Sequence, residues 1–173
     1  TVRRLEADVE RALRVLEGTH LAFHRCLQHP ERAQDPVPEG EAEARCVNAS
    51  CPAQLKQGII HFGSKEALDV DGLGEKTVDQ LVDRGMVEDF ADLFDLTVEQ
   101  VASLDRMAQK SAQNLVNAVE KSRERVTLPR LVYGLGIPHV GRAAAEDLVR
   151  AFGSLDRLAA AKVSDLKALP GMG

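Results

Sequence analysis

A short turn recurs four times in this chain, and its spacing limits what the chain can fold into. The turns are Gly72-Leu73-Gly74, Arg106-Met107-Ala108, His139-Val140-Gly141 and Gly171-Met172-Gly173, and their first residues lie 34, 33 and 32 positions apart. A steady period of this size marks stacked copies of one supersecondary unit. The flanks repeat as well. An apolar residue stands two positions before each turn: Val70, Leu104, Ile137 and Leu169. Four positions after the last turn residue comes Val78, Ala112 or Ala145, and three further on Leu81, Leu115 or Leu148. Steps of three and four are helical, so each unit reads as helix, tight turn, helix. The fourth copy reaches Gly173 before its second helix, and the expectation is a unit cut short.

Composition agrees with a mainly all-α fold. Apolar residues make up 44% of the chain and aromatic ones only 3%, with no Trp. Ala, Leu and Val carry most of the apolar content, which suits packed helices better than a sheet. No apolar run approaches the roughly 18 residues of a membrane span, and no secretory leader is visible. The expectation is a soluble, cytoplasmic monomer. The net charge of −5 argues against a nucleic-acid partner, because most such domains are basic.

Local signals place the helix ends. Residues 2–16 are predicted to form an amphipathic helix, from Val2, Leu5, Val9, Leu13 and Leu16, ending near Gly18. Residues 30–44 hold three prolines and no period, and read as a linker. Thr97 and Gln100 form a predicted capping box. Ser64, Thr127, Ser154 and Ser164 are expected N-caps, and Gly85 and Gly153 expected helix stops.

The repeated unit resembles the helix-hairpin-helix motif, and its chemistry follows from its backbone. Glycine in the turn permits positive φ and close approach of a ligand. The helix that follows points its first free N–H groups outward and carries a partial positive charge there. Such a site suits an anion, and a DNA backbone phosphate is one. These contacts use backbone groups, which partly answers the objection from the acidic charge. The candidate DNA-binding residues are Gly72, Gly74, Lys76, Met107, Lys110, Val140, Gly141, Arg142, Gly171 and Gly173. The bland reading is a hairpin that closes with no ligand, with Lys76, Lys110 and Arg142 merely solvated. The second turn has Arg106 and Ala108 where the others have glycine, so it is expected to be the weaker anion site or mainly a packing unit.

Upstream lie three cysteines, Cys26, Cys46 and Cys51. An odd count argues against a disulfide framework. Structural zinc takes four N or S ligands, and Cys26, His29, Cys46 and Cys51 supply such a set, with His24 and His20 as rivals for the histidine. The alternative is unligated thiols.

The order of the segments "RCVNASCPAQL", "HFGSKEALDVDGLGEKTVDQLVDRGMV", "KSAQNLVNAVEKS" and "LVYGLGIPHVGRAAAEDL" resembles the zinc-finger and helix-hairpin-helix region of NAD-dependent bacterial DNA ligases, over about residues 44–173. Residues 5–43 depart from the family, whose first Cys-Pro-X-Cys pair is missing. The organisation expected is an N-terminal helix or remnant of a preceding OB domain (1–25), a zinc-finger-like element (26–55) and a helix-hairpin-helix domain (56–173). The resemblance implies a parent enzyme that seals nicks in double-stranded DNA with NAD⁺ and Mg²⁺, through lysyl-AMP and DNA-adenylate intermediates. This region would carry structural Zn²⁺ and grip the duplex. It has no Lys-X-Asp-Gly motif, so no catalytic residue is expected in it and it should not self-adenylate. The rivals are a DNA-binding module of another helix-hairpin-helix repair or junction-binding protein, and a helical interaction domain with no DNA role.

Overall fold

A computed structural model describes residues 52–169. The predicted helix over 2–16, the linker, the candidate ligands Cys26, His29, Cys46 and Cys51, and the fourth turn at Gly171–Gly173 lie outside the described residues.

All regular elements of the described residues are helical. In chain order they are α1 (Pro52–Phe62), α2 (Glu75–Asp83), a 3₁₀ turn (Asp92–Asp95), α3 (Val98–Ala102), α4 (Gln109–Arg125), α5 (Leu128–Gly134), α6 (Arg142–Phe152), α7 (Leu155–Ala159) and α8 (Val163–Lys167). Helices α1 and α2, α3 and α4, and α5 and α6 pack as three successive hairpins around the first three turns. Contacts between α1 and α5 join the first hairpin to the third. Helix α1 crosses the boundary expected between residues 55 and 56, and its Leu55, Ile59 and Phe62 enter the common core.

The repeat dictates this packing. Val78, Ala112 and Ala145, the fourth residues of α2, α4 and α6, are fully buried. Leu81, Leu115 and Leu148 follow one turn later and are buried too. Residues three apart share a helix face, so each pair forms a stripe against the preceding helix. A small or β-branched residue at the first position lets the two helices approach beside the turn. Of the apolar residues preceding the turns, Val70 and Leu104 are buried, whereas Ile137 is 40% exposed.

Helix ends follow local chemistry where tertiary packing leaves them alone. Thr97 and Gln100 form the expected reciprocal box, with Thr97 N donating to Gln100 Oε1 (2.8 Å) and Gln100 N to Thr97 Oγ1 (3.3 Å). Ser154 Oγ accepts from Arg157 N and caps α7. Gly85 ends α2 in a Schellman arrangement, with Met86 N donating to Leu81 O and Gly85 N to Val82 O. Gly153, at φ 73°, ends α6.

Two expected caps are corrected. Ser64 starts no helix: Ala67 N and Asp69 N both donate to its carbonyl, closing a compact turn that buries Ala67 and Leu68. Ser164 lies inside α8, whose N-cap is Lys162. Thr127 occupies the cap position of α5, but its side chain makes no capping bond.

Lys56 ties α1 to α2 through Asp83 (2.8 Å) and Asp79 (3.2 Å). The hydrogen bond to Asp83, helped by Asp79, raises the ammonium pKa above its usual 10.5. A raised lysine pKa stabilises the folded state below the unfolded value, and that contribution fades as pH climbs through the folded one.

Candidate nucleic-acid interface

The three described turns share one backbone shape. Their first residues, Gly72 (φ 89°), Arg106 (φ 61°) and His139 (φ 65°), all lie in the left-handed region. In the second and third turns the chain folds back, with Met107 N donating to Leu104 O and Val140 N to Ile137 O. Positive φ at the third of four residues is what a type II turn requires, with Pro favoured just before it; Pro138 stands there in the third turn.

Arg106 thus supplies the positive φ expected of a glycine, while Ala108 still carries a side chain where the other turns close on Gly74 and Gly141. Arg106 pays the steric cost of a left-handed residue and reproduces the glycine conformation. That cost is about 1–2 kcal/mol for an L-residue, against about 0.5–1 kcal/mol of extra unfolded-state entropy for glycine. Arg106→Gly is therefore expected to stabilise the protein by roughly 0.5–1 kcal/mol. Urea unfolding checks this, and a lower midpoint would contradict left-handed geometry at that residue.

The closing residues behave differently from the first ones. Gly74 (φ −88°, ψ 169°), Ala108 (φ −75°, ψ 151°) and Gly141 (φ −79°, ψ −179°) are the N-caps of α2, α4 and α6 in extended conformation. Positive φ is found at Gly72 alone among the turn glycines described. A Cβ built on Gly74 or Gly141 would meet nothing within 4 Å. Neither backbone angle nor internal packing demands glycine there, so a side chain would intrude only on something approaching from outside.

The capping pattern points the same way. Helices α3 and α7 begin with side-chain caps on Thr97 and Ser154, while Thr127 at the start of α5 makes no capping bond. The helices that follow the turns begin at Gly74, Ala108 and Gly141, with no side-chain cap. The first N–H groups of a helix have no partner within it, so at the turns these donors face outward beside a partial positive charge. Lys76, Lys110 and Arg142 sit in the first turns of α2, α4 and α6, all exposed. Leu73, Met107 and Val140 turn inward, Leu73 buried and the other two half-buried against the core.

Electrostatics separate the three sites. Around the first turn stand Asp69, Asp71 and Glu75 with Lys76, whereas the third has His139 and Arg142. Around the second, Asp105 is engaged by Arg84 (2.7 Å), leaving Arg106 and Lys110 exposed.

Sequence reasoning missed the side chains that position the second turn. From α2, Gln80 Oε1 accepts from Asp105 N (2.6 Å), and Arg84 Nη1 donates to Ser103 O (2.7 Å). They lie 25 and 19 residues upstream of the groups they bond, and no periodic signal marks them. The first turn rests on α4, where Leu115 lies 3.7 Å from a Cβ built at Gly72 and Arg125 Nη2 donates to Asp69 O. Among the described residues no group of three His, Cys, Asp or Glu side chains is placed to hold a metal ion. No helix among them is long and apolar enough to cross a membrane.

Left-handed turn, uncapped helix start and buried small or β-branched residue, three times over among the described residues, define a tandem helix-hairpin-helix region. Family models agree: a SAM-like helix-hairpin-helix tandem matches residues 64–121 and a helix-hairpin-helix motif residues 130–173. The chain is 54% identical over 129 residues to a DNA ligase of Methylacidiphilum infernorum, covering 75% of this chain and 19% of the relative. It is 58% identical over 134 residues to one of Desulfosudis oleivorans, covering 77% and 20%, and 51% identical over 134 residues to one of Carboxydothermus hydrogenoformans, covering 78% and 20%. The chain is thus similar to these DNA ligases over about three quarters of its own length, and spans about a fifth of theirs.

Proposed function

We propose that this region binds double-stranded DNA without sequence preference, by offering the uncapped N–H groups at its turns to backbone phosphates, as the DNA-gripping part of an NAD-dependent DNA ligase. The observation that carries the reading is that Gly74 and Gly141 stand at the starts of α2 and α6, where neither the backbone angle nor internal packing calls for glycine. Phosphate contacts position a duplex but carry no base information. The acidic net charge of −5 is compatible with this, because the donors are backbone groups.

Binding is expected to be weak and to fall with salt. A valine at Gly141 would stand between the third turn and a phosphate while clashing with nothing in the protein. Gly141→Val is expected to weaken duplex binding by about 1–2 kcal/mol, the scale of one lost charge-assisted hydrogen bond. Gly74→Val should cost less, because Asp71 and Glu75 already weaken that site for anions. Fluorescence titration of one duplex with both variants and Ala108→Val, each first shown folded by circular dichroism, tests the reading. No loss at any turn would leave the repeats as scaffold.

Two further expectations belong to the same reading. Labelled NAD⁺ should leave this chain unlabelled, because it holds no Lys-X-Asp-Gly motif. Three thiolates and an imidazole at Cys46, Cys51, Cys26 and His29 suit one structural Zn²⁺, which elemental analysis of chelator-free protein would count.

A further inference from the structure

Beyond the turns, the described surface holds an open cleft of about 450 Å³ between the segment after α1, the start of α5 and the first turns of α6. Lys65, Arg130 and Arg142 all line it. They come from three separate parts of the chain, and only Arg142 adjoins a turn. Arg130 is anchored: its Nη2 donates to the carbonyl of Lys65, which fixes the guanidinium across the gap between the first and third hairpins. Its Nε is buried and has no hydrogen-bond partner. Glu66 and Glu146 also line the cleft. Even so, none of the salt bridges found among the described residues involves Lys65, Arg130 or Arg142.

Three cations against the two carboxylates of Glu66 and Glu146 leave the cleft one net positive charge, which favours an anion there. The fork of a guanidinium matches the oxygens of a phosphate, and lysine adds a point charge. Tyr133, which also lines the cleft, is itself held by its carbonyl, which lies 3.0 Å from His61 Nε2 on α1. The α5 wall of the cleft is thus tied to α1.

We propose that the Lys65–Arg130–Arg142 cleft is a phosphate site separate from the turns, which takes a second backbone phosphate of a duplex seated on the third hairpin. The proposal rests on the DNA-binding reading above for the source of the phosphate. Its chemistry, a tetrahedral oxyanion held by two guanidinium groups and an ammonium, does not depend on it.

The decisive variants are Lys65→Gln and Arg130→Gln, read by duplex titration at several salt concentrations. Lys65→Gln leaves intact the backbone carbonyl that Arg130 uses, so it removes charge without releasing the anchor. Each is expected to weaken binding roughly 5- to 20-fold, near the low end for a charge-assisted hydrogen bond because the cleft is open to water. The slope of log K against log salt should shrink by about 0.9, one phosphate's worth. Lys167→Gln, at an exposed lysine of α8, removes the same charge elsewhere and is the control. Gly141→Val separates the two ideas. If it weakens binding while Lys65→Gln and Arg130→Gln do no more than Lys167→Gln, the cleft is overturned and the turn reading stands. In a second arm, wild type and Lys65→Gln are titrated with inorganic phosphate and followed by amide NMR shifts at Lys65 and Arg142. Saturable shifts lost in the variant support the site even if no duplex binds, and then assign it to a free phosphate. Shifts with duplex alone support the backbone phosphate. Shifts with neither ligand overturn it.

Discussion

Phe62→Ala is expected to lower the free energy of unfolding by about 3–5 kcal/mol, the usual cost of emptying a buried phenylalanine site. Phe62 ends α1 and is fully buried. Its ring centre lies 5.0 Å from that of Phe90 and 6.4 Å from that of Phe94, the latter edge-on. On its other side it touches α5, with Cδ2 3.2 Å from a Cβ built on Gly134. One side chain thus joins the first hairpin, the segment leading to the second and the start of the third. Domains have only about 5–15 kcal/mol in total, so the loss is a large share. It should appear in urea unfolding as a lower midpoint with an unchanged slope. A shift worth less than about 1 kcal/mol would show that the core is not centred there.

Gly134→Val fails by the opposite mechanism. A Cβ at Gly134 already lies 3.1 Å from Ala67 Cβ, 3.2 Å from Phe62 Cδ2 and 3.5 Å from Leu68 Cδ1. Two further methyl groups have no room, and overpacking of this kind costs about 1–3 kcal/mol. The clash is where α5 meets the end of α1 and the turn after it, so the third hairpin should swing relative to the first. Duplex binding should fall along with stability, because the turns would no longer be held in one arrangement. Gly134→Ala, with one methyl only, should cost less. Equal melting temperatures for wild type and Gly134→Val would mean that the two helices do not meet there.

Much of this architecture was legible before any coordinates. The period of 34, 33 and 32 residues located the turns, because a tight reversal between helices has few solutions and repeats its residue types. The stripe of Val78 and Leu81, Ala112 and Leu115, Ala145 and Leu148 was legible because helical spacing alone puts such pairs on one face. All six prove buried. The Thr97 box was legible because it is a local exchange between residues three apart.

Other features depended on residues far apart in the chain. The left-handed turn at Arg106 contradicts that residue's own preference. Local preference yields there because Gln80 and Arg84, on another helix, hold Ser103 and Asp105 on the near side of the turn. Ser64 was misread as a cap because its carbonyl, not its hydroxyl, organises the turn, and that turn exists to bury Ala67 and Leu68. The meeting of Lys65 with Arg130 spans 65 residues, and no spacing rule reaches that far.

The sequence by itself determined the repeated helix pairs, the positions of their turns and the backbone donors that follow them. These depend on interactions within a few residues of each other, where residue type alone sets the energy. Only the tertiary structure decided which turns rest on which helices, and which cations converge on one cleft. Those outcomes depend on how three hairpins fill a shared core around Phe62, and side-chain volumes set that only after the whole chain has packed.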